Sequence, residues 1–134
     1  MNIFLDSSAI IELFKNNPKA LKAIEEAEKV YTSTICAYEV LLGEEYMKNK
    51  GKSSSIEKVQ SFFGTTTTLP LTYMNTIKAS VIAGKLSEEG KRIDDFDILI
   101  AAQALENDAV VLTKDIKHFE VLKEETGLAI EKIV

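Results

Sequence analysis

Asp97-Ile98-Leu99-Ile100-Ala101-Ala102-Gln103-Ala104-Leu105-Glu106-Asn107-Asp108-Ala109-Val110-Val111-Leu112-Thr113-Lys114-Asp115 reads as helix, turn and strand in immediate succession. From Ile93 to Leu105 the chain is almost wholly apolar once Asp94, Asp95, Asp97 and Gln103 are set aside. A helix without a polar face is buried on most sides. Asn107-Asp108 supplies the turn, and Ala109 to Leu112 is a continuous apolar run of the kind found in strands covered on both faces. Thr113 to Asp115 leaves that strand.

The rest of the chain repeats this alternation. Ile3-Phe4-Leu5 is a buried strand that stops at Asp6, and Ala9 to Phe14 has helical character. Asn16-Asn17-Pro18 breaks the chain, and Pro18 suits the first turn of a helix carrying Ala20, Leu21, Ile24 and Ala27 on one face. Val30-Tyr31-Thr32 predicts a second strand, and Ser33 to Met47 a helix with Ile35, Tyr38, Leu41 and Leu42. Asn49 to Ser55 is the most polar stretch and reads as a loop; Ile56 to Phe63 restores a short helix, closed by Gly64. Thr65 to Leu69 suits a strand, and Pro70 places it at an edge, where a missing ladder donor is tolerated. Tyr73 to Leu86 is helical and ends at Glu88-Glu89-Gly90; a last strand is expected around Leu128 to Ile130. The expectation is one domain over residues 1–134. Its fold class is α/β, a three-layer α/β/α arrangement around a central, mostly parallel sheet of about five strands. Function in such sheets collects beyond the carboxyl ends of the strands.

The 134 residues carry 16 basic and 21 acidic side chains, a net charge of −5. A basic surplus, the usual mark of nucleic-acid binding, is absent. A site that gathers carboxylates also draws the total negative while leaving a basic contact surface elsewhere. Lys48, Lys50, Lys52, Lys91, Arg92, Lys114 and Lys117 are the candidates for that surface. No stretch is long and uncharged enough to span a bilayer, and the first residues lack the basic region of a leader. A single cysteine, Cys36, makes no internal disulfide, which fits a reducing cytoplasm; on an inward helix face it is an inert small hydrophobe. A single histidine, His118, excludes sites built on two imidazoles and reads as surface or core.

Four carboxylates stand out. Asp6 and Asp115 follow strands, and in a parallel sheet they share one rim; Asp at such junctions also caps helices. Glu39 has Ile35, Cys36, Leu42 and Gly43 three and four positions away, which places it in an apolar stripe. Asp97 sits among Ile93, Ile100 and Ala101, with Asp94 one turn before it. Ionised carboxylates on buried faces cost several kcal/mol unless paired. If the four converge, a hard divalent cation relieves their repulsion, and oxygen ligands favour Mg²⁺ over Zn²⁺ or copper. No phosphate-binding glycine loop is present, which leaves metal-assisted phosphodiester hydrolysis as the common chemistry of such a cluster.

Four blocks then resemble the PIN-domain ribonucleases, and specifically the VapC-type toxins of prokaryotic toxin–antitoxin pairs. They are Leu5-Asp6-Ser7-Ser8-Ala9-Ile10-Ile11, Glu39 in Tyr-Glu-Val-Leu-Leu-Gly, Asp97 in Asp-Ile-Leu-Ile-Ala-Ala-Gln-Ala, and Leu112-Thr113-Lys114-Asp115 with Phe119. They occur in family order across essentially the whole chain. The resemblance implies a Mg²⁺- or Mn²⁺-dependent endoribonuclease leaving 5′-phosphate and 3′-hydroxyl ends, a homodimer, and inhibition by a VapB-type antitoxin. Asp6, Glu39, Asp97 and Asp115 become the catalytic acids and metal ligands, with Ser8, Thr113 and Asp94 as supporting groups. Tyr38 and Phe119 read as packing. Ile10, Ile11, Leu13, Phe14, Leu21 and Ile24 are candidates for the groove that receives an antitoxin helix. Sequence-specific DNA binding is expected of that partner and not of this chain. The other readings are a housekeeping RNA-processing PIN nuclease, a non-catalytic PIN interaction domain, and a phosphoaspartate domain, which would leave Glu39 and Asp97 unexplained.

Overall fold

Ile3, Phe4 and Leu5 are all buried, although successive side chains of a strand point to opposite faces; the sheet is therefore covered on both sides. The computed structural model describes residues 1–133. Its elements are β1 (Asn2–Leu5), α1 (Ser7–Phe14), α2 (Pro18–Glu26), β2 (Lys29–Ser33), α3 (Thr34–Asn49) and α4 (Ile56–Thr65). There follow β3 (Thr67–Leu69), α5 (Tyr73–Glu88), α6 (Asp95–Glu106), β4 (Ala109–Thr113), α7 (Ile116–Thr126) and β5 (Ile130–Lys132). The five strands run in the order β3-β2-β1-β4-β5, and every neighbouring pair is parallel. Helices α1 to α4 pack among themselves, as do α5 to α7, giving the three-layer α/β/α arrangement.

Local chemistry explains where the elements begin. Asn17 accepts the Lys19 and Ala20 amides ahead of Pro18, and Asp94 accepts the Phe96 amide at 2.8 Å to start α6. Thr72 and Asn75 form a reciprocal capping box at the start of α5. The α6 helix buries Ile98, Ile100, Ala101, Ala102, Gln103 and Ala104, as its apolar composition requires.

Three expectations change. The last strand begins two residues later than expected, because Gly127 (φ 77°) ends α7 and Leu128 fills the core before pairing starts. The α7 helix itself adds to the expected order; its polar residues hide a stripe anchored by Phe119 and Leu122. Ile10 belongs to the core and lines no outer groove.

The sheet order has one consequence that governs the site. The chain builds β1, β2 and β3 outward in one direction, then returns to place β4 on the other side of β1. The crevice beyond the carboxyl ends of β1 and β4 lies at this reversal, where open parallel sheets bind their ligands.

Candidate active site

Leu5 pairs with Leu112 in the β1–β4 register, so Asp6 and Thr113 leave the sheet side by side. The Thr113 hydroxyl donates to Asp6 Oδ2 at 2.5 Å, while Ser8 Oγ (2.7 Å) and the Ala9 amide (2.8 Å) donate to Oδ1. Asp6 is thus both the cap of α1 and a carboxylate held by two hydroxyls. Burial raises its pKa, the three hydrogen bonds oppose that, and Asp115 raises it further. Ser8 and Thr113, expected as supporting groups, are the two hydroxyls bonded to Asp6. Ser8 Oγ also accepts the Lys114 amide at 2.8 Å, and Thr113 Oγ1 accepts that of Asp115 at 2.9 Å, so the same hydroxyls shape the turn that presents Asp115.

Asp97, in the first turn of α6, is half-buried, and His118 Nδ1 lies 2.8 Å from its Oδ2. Burial pushes the Asp97 carboxyl up to about 6; His118 opposes the shift, and Asp94 and Asp115 add to it. Donor atoms of Asp97, Asp115 and His118 lie within 4.8 Å of one another. Asp6 stands outside that trio but within the electrostatic reach of Asp115. Glu39 also stands outside the trio; Ser7, next to Asp6, donates to its Oε1 at 2.6 Å.

Several expectations need correction. Glu39 is exposed and does not sit in a buried stripe, because Cys36 and Val40 take the inward positions of α3 and leave Glu39 on the lip. Tyr38, expected as packing, is 58% exposed for the same reason. Asp94 caps α6 and is exposed, so it acts on Asp97 through its charge and not as a partner one helical turn away. Asp115 is exposed and makes no capping bond of its own. His118, expected at the surface or in the core, is hydrogen-bonded to Asp97. Its spacing from Asp115, three positions along a helix, is the signal that could have found it. Cys36 is buried as expected, its thiol pushed up to about 12.

The residues fit a divalent cation. Among the described residues no lysine or arginine forms an ion pair with Asp6, Asp97, Asp115 or Glu39. Two of these carboxyls have pKa values raised by burial and by neighbouring charge, which is the repulsion a cation relieves. Carboxylate oxygens suit a hard divalent cation.

The family model described as PIN domain matches residues 3–124, a span that contains all four acids. The chain belongs to the PIN-domain family. Among its relatives is a protein named Ribonuclease VapC from Rickettsia bellii, 30% identical over 128 residues that cover 92% of each chain. Another is Ribonuclease VapC2 of Haemophilus influenzae, 25% identical over 90% of this chain and 91% of the relative. The fold matches VapBC-1 from nontypeable Haemophilus influenzae with a TM-score of 0.79, at 24% identity over 98% of both chains. It matches the DNA-bound VapBC of Salmonella typhimurium with a TM-score of 0.78, at 24% identity over the whole of both chains.

In this PIN domain a further buried acid, Glu12, was not visible as a site residue in the sequence. Its Oε1 pairs with Lys114 Nζ at 3.4 Å and its Oε2 with Lys15 at 3.8 Å. Lys114 therefore braces the turn before Asp115. Of the cations expected on an RNA surface, Lys114 and Lys91 are engaged with carboxylates, Lys91 with Glu89 at 3.5 Å. The hydroxyl brace can be tested directly. Thr113→Val keeps the side-chain shape and removes the donor to Asp6, so the protein should lose about 1–3 kcal/mol of stability. Its divalent-metal affinity should fall by about 10- to 100-fold, as for other groups that orient metal ligands. Melting curves with and without Mn²⁺ measure both.

Proposed function

We propose that this chain, as one domain over residues 1–134, is a metal-dependent endoribonuclease of the VapC toxin type, using Mg²⁺ or Mn²⁺. The observation that carries the reading is the gathering of Asp97, Asp115 and His118 beside the Asp6–Ser8–Thr113 hydrogen-bond set. All of it lies at the reversal point of a parallel sheet. The names of the relatives support the substrate class.

Asp97, Asp115 and Asp6 would hold the cation, with His118 orienting Asp97. Bound there, a divalent ion supplies Lewis-acid activation of water and neutralises charge building on the phosphate. Glu39, exposed and held by Ser7, would accept a proton from the attacking water. Ser8 and Thr113 keep Asp6 oriented, so less of the carboxylate's freedom is lost when substrate arrives.

The proposal extends to partners. VapBC structures among the fold's neighbours support an antitoxin of the VapB kind. Exposed Ile11, Leu21 and Tyr38 beside half-buried Leu13, Phe14 and Ile24 offer the apolar surface an amphipathic helix requires. On α5, exposed Tyr73, Met74, Ile77 and Val81 recur at helical spacing and support a homodimer. The cytoplasm is the compartment this function requires; among the described residues no helix is long and apolar enough to cross a membrane.

Cleavage of total RNA with Mg²⁺ or Mn²⁺, lost with EDTA and in Asp97→Asn, tests the activity. A short gene upstream for a small DNA-binding protein separates the toxin from a housekeeping nuclease. Metal should also raise the melting temperature, since it binds the folded cluster and not the unfolded chain. A free concentration of 100 times Kd corresponds to about 2.7 kcal/mol. A melting curve unmoved at millimolar Mg²⁺ and Mn²⁺ would count against a preassembled cluster.

A further inference from the structure

Next to the acidic cluster lies a groove of about 800 Å³ between the end of α5 and the start of α6. Gly90 (φ 72°) turns the chain back after α5, and residues 91–94 form one wall. Leu86, Ile93 and Ile98 contribute an apolar floor. At the mouth stand Lys91, Arg92 and the ring of Phe96, which is 37% exposed in a helix otherwise rich in buried apolar side chains.

Two features give this groove a direction. Asp94 lines it and also acts on the charge of Asp97, so the groove lies close to the candidate active site. Arg92 is the chain's one arginine, and among the described residues it makes no ion pair, although Asp94 and Asp95 follow closely in sequence. Asp94 is instead turned to the Phe96 amide, and Asp95 sits in the first turn of α6, where the helix dipole favours it. A guanidinium left free beside an exposed aromatic face is the pairing that binds a phosphate and a stacked base together.

We propose that this groove holds the single-stranded RNA flanking the scissile phosphate, with a base stacked on Phe96 and the adjoining phosphate on Arg92. The proposal rests on the endoribonuclease reading and adds to it a subsite outside the acids. Stacking accepts any base, so this subsite supplies affinity more than sequence choice.

The test is steady-state cleavage of a fluorogenic single-stranded oligoribonucleotide with Mn²⁺, comparing wild type with Arg92→Ala, Phe96→Ala, Phe96→Leu and Phe96→Tyr. Phe96→Ala and Phe96→Leu should raise KM by about 5- to 160-fold, the usual worth of one stacked base, with a smaller effect on kcat. Phe96→Tyr should restore most of the loss. Leucine keeps the apolar contact with the floor, so its failure separates stacking from folding, and melting curves check each variant. Arg92→Ala should raise KM and reduce the slope of log KM against log salt by about 0.7, one phosphate contact on a single strand.

KM within twofold of wild type for both Arg92→Ala and Phe96→Leu overturns the subsite while leaving the nuclease reading intact. Unchanged KM with weakened capture of a co-expressed VapB-type antitoxin assigns the groove to a protein and overturns it too. If wild type cleaves no RNA with metal, the nuclease reading fails instead. Anisotropy with labelled oligouridylate then decides the groove: loss of binding in both variants upholds it, and unchanged binding ends it.

Discussion

Asp97→Asn should lower metal-dependent RNA cleavage by at least about a hundredfold, the scale on which a single electrostatic stabiliser is felt in the transition state. The substitution is nearly isosteric, and the asparagine oxygen can still take the place of Oδ2 beside His118 Nδ1. What disappears is one negative charge from the trio of Asp97, Asp115 and His118. Asp6→Asn should be as damaging but is a less clean probe. Asp6 accepts three hydrogen bonds, and an amide group would have to turn its NH₂ toward Thr113, or toward Ser8 and the Ala9 amide. A folded Asp97→Asn protein that retains metal-dependent cleavage, together with an active Asp6→Asn, would sink the assignment. Far-ultraviolet circular dichroism and a cleavage time course on the same preparations settle the matter.

Without metal, the same substitution should make the protein more stable at neutral pH. Burial and the charges of Asp94 and Asp115 raise the Asp97 carboxyl from its ordinary 3.8 to about 6. Between those values the native state holds a proton that the unfolded state has released, so stability falls as pH rises through that window. Below pH 4 both states are protonated and the penalty is absent; above about pH 6 it is fully present. A shift of this size corresponds to at most about 3 kcal/mol, on the order of 10 °C in melting temperature for a domain of this length. Melts in EDTA should therefore place Asp97→Asn above wild type at pH 7.5 and level with it at pH 4. Mg²⁺ or Mn²⁺ should reverse the order at neutral pH, because wild type gains a ligand that the variant binds weakly. Equal melting temperatures at every pH would mean that the carboxylate carries no penalty. The energy associated with ionised Asp97 is thus what links the stability of the empty site to its affinity for a cation.

Much of the architecture was legible because the relevant signals are local. The apolar runs at Ile3–Leu5 and Ala109–Leu112 read as covered strands, and the helix from Asp95 had no polar face to expose. Pro70 correctly marked β3 as an edge. Helix α7 was missed because Phe119 and Leu122 are its only fully buried side chains, too sparse a stripe to set a period. The burial of Glu39 was overread, since sequence neighbours describe a helix's faces but not where along its length the core ends.

The sequence by itself determined most of the elements, every one before α7 in order, and which acids follow strands, because hydrophobic period and capping chemistry act over a few residues. Only the tertiary structure decided that β4 returns to the far side of β1, which sets Asp6 against Thr113 across 107 positions of chain. That return also brings His118 to Asp97. Contacts between residues so distant follow from strand order and helix packing, which minimise exposed apolar area over the whole molecule and leave no mark on any short stretch of chain.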